Sequence, residues 1–195
     1  VLAGFIRLLS GVRRIRAEDL PVGPTVFFAN HSSHLDFAVI WAALPDHQRA
    51  ITRPVAGRDY WEKTALRRWL AQKVFHAVLI ERQKVTVAAN PLEAMLTALD
   101  GGSSLIVFPE GTRSLDGLVH EFKAGLYHLA RGRPAIPLVP TCLDNLNRLL
   151  PKGEFIAVPL IASVKMTAPI HLEAGEAKPA FLARAREALL GLTNR

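Results

Sequence analysis

The sequence predicts an α/β fold: a single-domain mixed, largely parallel sheet flanked by helices. Short runs rich in β-branched and aromatic residues, such as TVFFA (25–29) and SLIVF (104–108), are typical of buried strands. Stretches with apolar residues at helical spacing lie between these runs. Strands that alternate with helices favour a sheet covered by helices. The 195 residues show no repeat or linker, so one domain over residues 1–195 is expected.

The first half of the chain alternates between the two patterns. VLAGFIRLLS predicts a helix over residues 1–10, which either lies in a headgroup layer or packs on the domain. A helix over 33–44 follows TVFFA and ends before Pro45. The remaining elements are predicted from β-branched runs or helical spacing: strands at 12–16, 49–55 and 77–81, and a helix at 59–74.

The second half continues the alternation. NPLEAMLTALD predicts a helix over 90–100, with Pro91 near its first turn and Gly101 and Gly102 after it. A proline-rich, weakly patterned segment reaches about residue 177, and no strand is predicted there. The other elements are a strand at 104–108, a helix at 122–132, a strand at 135–143 and a helix at 179–192.

The composition limits the classes of function. The 24 Lys and Arg residues outnumber the 17 Asp and Glu residues, which suits phosphates of nucleic acid, of an anionic membrane face or of a small substrate. The lone Cys142 excludes an internal disulfide and a cysteine-built zinc site, and its apolar neighbours predict a core position. No apolar stretch reaches the about 18 residues that a membrane-spanning helix needs.

NHSSHLD (30–36) places several proton-handling groups directly after a predicted strand. If His31 lies in the turn before a helix and Asp36 in its first turn, their side chains can fold toward each other. A carboxylate that accepts from one ring nitrogen leaves the other free to take a proton. Ser32 or Ser33 would then be the helix N-cap. The segment is therefore a candidate general base with its orienting carboxylate.

Other interpretations of NHSSHLD compete with the general base. It could be a solvated loop, or Ser32 or Ser33 could be a nucleophile, although the GxSxG pattern of serine hydrolases is absent. A metal site could use His31, His34 and Asp36, or draw in histidines further along the chain, His120 and His128. No HExxH motif supports that site.

FPEGTRS (108–114) has the composition of a phosphate-binding loop. Gly111 allows close backbone approach, Thr112 offers a hydroxyl and Arg113 offers a planar fork suited to phosphate. NHSSHLD, Arg82 and PEGTRS each lie at or after the end of a predicted strand. In open α/β sheets the functional crevice lies beyond the carboxyl ends of the strands, so the three are expected to meet there.

These motifs together resemble the glycerolipid acyltransferases typified by bacterial 1-acylglycerol-3-phosphate acyltransferase. NHSSHLD matches the family's N-H-x-S-x-x-D signature, and FPEGTRS matches its second signature and is followed by FKAG. AIPLVP resembles a later segment of the family. FHAVLIER resembles another less well, because His76 stands where glycine is usual and Leu79 where Phe or Pro is usual. The motif-bearing core spans about residues 12–145, and residues 146–195 are expected to pack on it.

The resemblance implies a glycerol-3-phosphate acyltransferase-like fold and direct acyl transfer from a thioester, on acyl-CoA or acyl carrier protein, to a lysophospholipid hydroxyl. His31 would be the base and Asp36 its orienter, with Asn30 and Ser33 supporting them. The acceptor's phosphate would be held by a larger set: Arg82, Thr112 and Arg113, with Glu110 and Gly111 shaping the pocket. No metal and no bound cofactor would be needed.

The expected acceptor is 1-acylglycerol 3-phosphate, with another lysolipid or glycerol 3-phosphate as the alternative. Amphiphilic substrates imply peripheral association with the anionic, cytoplasmic side of the cell membrane, where basic residues are favoured. A non-catalytic nucleic-acid-binding module is the rival from another class. The sequence contains no nucleic-acid-binding motif and only 7% aromatic residues, so no nucleic-acid partner is expected.

Overall fold

The computed structural model describes residues 1–13, 15–16, 19–33, 35–81, 90–114, 116–144 and 162–193. Its strands form one sheet in the order β3-β2-β4-β1-β5-β6. The strands are β1 (Val26–Ala29), β2 (Thr52–Gly57), β3 (Val78–Ile80), β4 (Ser104–Val107), β5 (Leu138–Asp144) and β6 (Ser163–Met166). All neighbouring pairs are parallel except β5 and β6, which are antiparallel. The predicted mixed, largely parallel α/β sheet is therefore confirmed.

Helices precede, connect and follow the strands. They are α1 (Leu2–Ser10), α2 (Asp36–Ala43), α3 (Asp46–Ile51), α4 (Arg58–Trp61), α5 (Ala65–Trp69), α6 (Pro91–Asp100), α7 (Gly125–Gly132) and α8 (Lys178–Thr193). A π-helical segment, Leu70–Val74, continues directly from α5. Asn90 caps α6 by accepting a hydrogen bond from Leu92 N, and Pro91 occupies the first turn.

The sheet separates two hydrophobic clusters because successive side chains of a strand point to opposite faces. Phe27 and Ala29 of β1 belong to the first cluster, together with residues of α2 and the π-helical segment and with Ile6 of α1. Val26 and Phe28 belong to the second cluster, with residues of α6, α7 and α8. The first layer of helices is thus α1, α2 and the α4–α5–π segment, and the second layer is α6, α7 and α8.

The first layer differs from the sequence prediction in two places. Residues 12–16 were predicted as a strand, but none of those described is in one. Ile15 N instead donates to Ala43 O at the end of α2, so a long-range contact fixes this segment. The helix predicted over 59–74 is broken, because Thr64 lies in an extended conformation and caps a new helix by accepting from Arg67 N.

Two strands also differ from the prediction. The strand predicted at 49–55 begins only at Thr52, because α3 extends through Ile51. β6 was missed in the proline-rich segment, where its partly buried SVKM has no strand-like alternation. Pairing with β5 supplies the backbone hydrogen bonds that the local sequence does not predict.

The amino-terminal edge of the sheet contains a buried polar cluster around Gln48. Gln48 Nε2 donates to Pro21 O and Gly23 O at 3.1 and 3.0 Å and approaches Thr25 Oγ1 at 3.4 Å. Gln48 Oε1 accepts from Ser104 Oγ at 3.1 Å, and Ser104 Oγ accepts from Thr25 N at 3.0 Å. We call Gln48, Thr25 and Ser104 the Gln48 cluster. It joins α3 to the starts of β1 and β4.

Helix α1 packs on α2 through its buried Ala3 and the partly buried Ile6, and it exposes Phe5, Leu8 and Leu9. Among the described residues, no helix combines the length and the apolar composition that crossing a bilayer would take.

Candidate active site

Two loops meet at the carboxyl edge of the sheet. β1 ends at Ala29 and leads into His31, while the neighbouring parallel strand β4 ends at Val107 and leads into PEGTRS. Ser114 N donates to His31 O at 2.7 Å and so joins the loops directly. The parallel pairing of β1 and β4 brings the two motifs together.

His31 and Asp36 form a hydrogen-bonded pair. His31 Nδ1 lies 2.8 Å from Asp36 Oδ2, and the same oxygen accepts from Ser32 N at 2.6 Å and Ser33 N at 2.8 Å. An acceptor that already receives two N–H groups requires Nδ1 to carry the ring's proton. Nε2 of His31 is then the nitrogen that can take a proton from a substrate.

The His31 ring is held on a second side by Phe108. The two rings stack with centroids 4.1 Å apart at an interplanar angle of 19°. The Asp36 side chain is fully buried, whereas the His31 side chain is 22% exposed. The pair therefore presents only the imidazole to the cavity, with the ring orientation fixed by a carboxylate and an aromatic face.

The predicted serine N-cap is wrong. Helix α2 begins at Asp36, its N-cap position is Leu35, and no side chain caps it. The Asp36 carboxylate, in the first turn of α2, instead reaches back to accept the backbone N–H groups of Ser32 and Ser33. Ser33 Oγ accepts from Leu35 N at 3.3 Å, and no hydrogen bond joins either serine hydroxyl of this turn to the His31 ring.

Asn30 fixes the end of β1. Its side-chain amide donates to Leu143 O at 3.0 Å and its oxygen accepts from Leu143 N at 2.8 Å. These two bonds continue the pairing of β1 with β5 by one residue and hold the backbone that carries His31.

Glu110 connects the two loops rather than facing the cavity. It is 5% exposed, and its carboxylate accepts from His31 N at 3.1 Å and from His120 N at 3.0 Å, one bond to each oxygen. This position makes it a brace for the His31 backbone. A direct role of Glu110 in acceptor binding remains a prediction.

Gly111, Thr112 and Arg113 line the cavity beside His31. Gly111 has a φ of 72°, and a Cβ built there would lie 2.8 Å from Lys123 Nζ. Lys123 therefore crosses close over the glycine and brings a second cation to the loop. The sequence interpretation missed Lys123, although it lies in the FKAG segment that follows FPEGTRS.

Asp116 organises the far end of this loop. Its carboxylate accepts from Ser114 Oγ at 2.7 Å and from Leu118 N at 3.0 Å, and it pairs with His120 Nε2 at 3.0 Å. Hydrogen bonding lowers the pKa of Asp116 to about 2. The bond from Ser114 contributes most, and the bond from Leu118 N comes next. Asp116 is thus an anchor for the segment that places Arg113.

The cavity beside His31 has a volume of about 560 Å³ and two chemically different parts. His31, Thr112, Arg113 and Lys123 form the polar end. The remaining wall is mainly apolar and is built by β2, the first layer and helices α6 and α7, with Phe37, Trp61, Phe75, Met95 and Leu126 among its side chains. A molecule with an anionic head and an apolar tail matches this division.

The turn after the π-helical segment contains His76, the residue that departs from the glycine of the family motif. His76 has a φ of 47°, the left-handed region that glycine enters without steric cost. Its neighbours Phe75 and Ala77 line the cavity. The glycine that is usual at this position suits the backbone, and histidine is accommodated here with its side chain exposed.

Arg82 and His34 lie outside the described residues. The roles predicted for them stay predictions. Among the residues that the structure describes, no group of three or more His, Cys, Asp or Glu side chains is arranged to hold a metal ion. Cys142 is buried as predicted, and burial raises the pKa of its thiol to about 12.

An imidazole aimed by a buried carboxylate, beside a cationic loop at the carboxyl edge of an α/β sheet, is the arrangement expected of an enzyme that uses a general base. The family described as Acyltransferase matches residues 12–144. The chain belongs to this acyltransferase family.

Individual relatives agree with the family. The chain is 28% identical over 181 residues to a 1-acyl-sn-glycerol-3-phosphate acyltransferase of Limnanthes douglasii, covering 89% of this chain and 60% of that protein. It is 31% identical over 193 residues to the alpha form from Ovis aries, covering 95% and 64%. The chain thus spans less than two thirds of the length of these relatives.

A solved structure has the same fold. The 1-acyl-sn-glycerophosphate (LPA) acyltransferase PlsC from Thermotoga maritima matches with a TM-score of 0.76. The match covers 98% of this chain and 78% of the other at 22% sequence identity, so it bears on the fold alone.

Proposed function

We propose that the protein transfers an acyl group from an acyl thioester to the free hydroxyl of a lysophospholipid, with 1-acylglycerol 3-phosphate as the preferred acceptor. The observation that carries this proposal is the His31–Asp36 pair at the polar end of a cavity whose other wall is apolar. The named relatives support the acceptor, because they are 1-acyl-sn-glycerol-3-phosphate acyltransferases.

His31 is the general base in the proposed reaction. Its Nε2 takes the proton of the acceptor hydroxyl while that oxygen attacks the thioester carbonyl. A carbon–oxygen bond forms, the carbon–sulfur bond breaks, and the proton on Nε2 passes to the departing thiolate. Asp36 keeps Nδ1 protonated and stabilises the imidazolium between these two transfers.

The acceptor's phosphate binds in the cationic part of the cavity. Arg113 can hold two phosphate oxygens at once, Lys123 adds a point charge and Thr112 adds a hydroxyl. Gly111 permits the close passage of Lys123. Arg82 is expected to join this group at the end of its strand. Asn30, Ser33 and Glu110 hold the backbone of His31 and Asp36 in place.

The donor is acyl-CoA or an acyl carrier protein thioester, and no bound cofactor or metal takes part. The substrates are amphiphiles, so the protein acts peripherally at an anionic membrane, on its cytoplasmic side. Helix α1 supports this placement because it exposes Phe5, Leu8 and Leu9 and is followed by the exposed Arg13.

The test is turnover by the purified protein with labelled acyl-CoA and a panel of lysolipids and glycerol 3-phosphate, read by product mass. We expect diacylated phosphatidate from 1-acylglycerol 3-phosphate at the highest rate. Thioester hydrolysis without an acylated lipid, together with labelling by a serine-directed probe, would show a serine hydrolase instead. Salt-dependent oligonucleotide binding with no turnover of any acceptor would show a nucleic-acid-binding module.

A further inference from the structure

The two helical layers differ in the apolar surface that they expose. Helix α1 exposes Phe5, Leu8 and Leu9, and α5 exposes Leu66 and Trp69. In the part of the chain that the structure describes, none of the large, exposed apolar residues lies on α6, α7 or α8. Helix α1 packs on the first cluster through Ile6, and the residues on either side of α5, Trp61 and Leu70, also pack on it. The exposed apolar helix surface therefore belongs to elements of the first layer.

The exposed face of α5 combines apolar and basic groups. Leu66 is 67% exposed and Trp69 is 55% exposed, and their spacing of three residues places them on the same face of the helix. Three cations nearby are also exposed: Lys63 just before α5, Arg68 on the adjoining side of α5, and Lys73 on the π-helical segment. Residues 63–80 contain these three cations and Arg67, and no acidic residue. Tryptophan and basic side chains are the groups that favour a membrane interface.

The α5 face lies on the outer side of the cavity wall. Tyr60 and Trp61, just before α5, line the cavity, as do Ala71 and Phe75 just after it. Trp69 and Leu66 do not line the cavity and point to solvent instead. Anything that binds to α5 would therefore lie next to the residues before and after α5 that form part of the apolar cavity wall.

We propose that Leu66 and Trp69, with Lys63, Arg68 and Lys73, form a lipid-docking face that binds an anionic bilayer independently of α1. Charge complementarity favours an anionic bilayer, since every charged side chain from Lys63 to Lys73 is basic and the apolar side chains are large enough to enter the boundary between headgroups and acyl chains. The proposal rests on the proposed function, because a lipid acceptor has to pass from the bilayer into the cavity beside this face.

Trp69 provides a direct test. The chain has three tryptophans, and Trp41 and Trp61 pack against the first cluster. Vesicles of phosphatidylglycerol and phosphatidylcholine with brominated acyl chains should quench the emission of the full chain, and Trp69→Phe should abolish most of that quenching. Quenching that is equal in both proteins would overturn the docking face.

Co-sedimentation with the same vesicles measures the strength of docking. Leu66→Ser combined with Trp69→Ser should weaken binding about tenfold or more, because two large apolar side chains no longer leave water. Lys63→Glu with Lys73→Glu should also weaken it, most strongly at low salt. Lys178→Glu, an exposed charge reversal on the second layer, is the matched control and should leave binding unchanged. Leu8→Ser with Leu9→Ser measures the contribution of α1 separately.

Turnover separates failure of docking from failure of the proposed function. The Leu66→Ser, Trp69→Ser variant should keep its rate on a short-chain, monomeric lysophosphatidate and lose about tenfold on acceptor embedded in vesicles. Wild-type protein that acylates neither acceptor would refute the proposed function, while the quenching would still decide docking. If light scattering shows a dimer that this variant dissociates, a second copy of the chain covers the face and the proposal is wrong.

Discussion

Buried polar side chains lie at both edges of the sheet. The two groups differ in which of their polar atoms have a hydrogen-bond partner within the protein. In the Gln48 cluster, the amide and both partner hydroxyls are hydrogen-bonded within the protein. At the carboxyl edge, Asp36 Oδ1 is buried without a hydrogen-bond partner among the described residues, and the His31 ring is partly exposed. The first group is buried and bonded within the fold, whereas the second leaves the His31 ring open to the cavity.

This difference teaches which polar cluster holds the fold together and which one fits the general base of the proposed reaction. A buried network with all partners present stabilises the folded chain and fixes one arrangement of it. A network with an exposed, oriented nitrogen can accept a proton. Strand direction produces the asymmetry, because the loops after parallel strands are free to vary while the starts of the strands are packed by α3.

The largest expected effect is the loss of turnover in His31→Ala. Removing a general base typically lowers the rate about 10² to 10⁴-fold. The variant should stay folded, because Asp36 still accepts from the N–H groups of Ser32 and Ser33. Steady-state turnover of acyl-CoA with lysophosphatidate and circular dichroism measure the two properties.

His128→Ala is the matched control, since His128 is an exposed histidine on α7 that does not line the cavity. It should keep nearly all of its activity, and so should His34→Ala. Equal losses in the His31 and His34 variants would reopen the metal-site interpretation.

Gln48→Ala should lower the stability of the protein and leave turnover by the folded protein unchanged. The change removes the Gln48 partner of Pro21 O, leaves Gly23 O and the Ser104 hydroxyl with only their hydrogen bonds to Thr25, and opens a cavity at a fully buried position. We expect the free energy of unfolding to fall by about 2–4 kcal/mol. Urea unfolding measures it.

The exposed Gln72 supplies the control, and Gln72→Ala should change the unfolding midpoint little. The folded fraction of the Gln48 variant should have wild-type kcat. A lower kcat at unchanged stability would mean that the two edges of the sheet do not divide their tasks in this way.

Variants of Arg113 test whether the loop after β4 binds the phosphate of the acceptor. Arg113→Ala removes a charge-assisted contact worth about 1.5–3 kcal/mol, so the KM for the phosphate-bearing acceptor should rise about ten- to a hundredfold. Arg113→Lys keeps the charge but loses the fork and should have an intermediate effect. The KM for the thioester should change little.

Arg131→Ala, at an exposed position on α7 away from the cavity, should leave both constants unchanged. A rise in the KM for the thioester alone would assign the loop to the phosphates of the donor.

The smallest effect concerns the anchor of the Arg113 loop. The pKa of Asp116 is lowered from 3.8 to about 2, so its ionised form stabilises the fold above about pH 4 and that contribution is lost as the pH falls through 2. Asp116→Asn should therefore flatten the loss of thermal stability between pH 4 and pH 2. Melting curves across this range measure it, and an unchanged acid limb would show that the Ser114 contact contributes nothing to folding.

Much of the candidate site could be predicted from the sequence because its signals are local. His31 and Asp36 are five residues apart around a strand-to-helix turn, so a short stretch of backbone suffices to bring them together. PEGTRS follows a strand with a clear apolar pattern, which predicts its place at the carboxyl edge of the sheet.

The function of Glu110 within the site could not be read in the same way. Its carboxylate turns away from the cavity to accept N–H groups of His31 and His120, and those partners are known only once the loops are folded. Lys123 is similar, since its approach to Gly111 joins residues twelve positions apart that no short-range pattern connects.

The sequence by itself determined the alternation of strands and helices and the residues that end the strands at the site. These follow from hydrophobic periodicity, which depends on which side of each element is buried. Only the tertiary structure decided the strand order, the pairing of β6 with β5, the break at Thr64 and the two polar edges. Each of these depends on backbone or side-chain partners far apart in the chain, and local propensity carries no information about which distant group supplies the missing hydrogen bond.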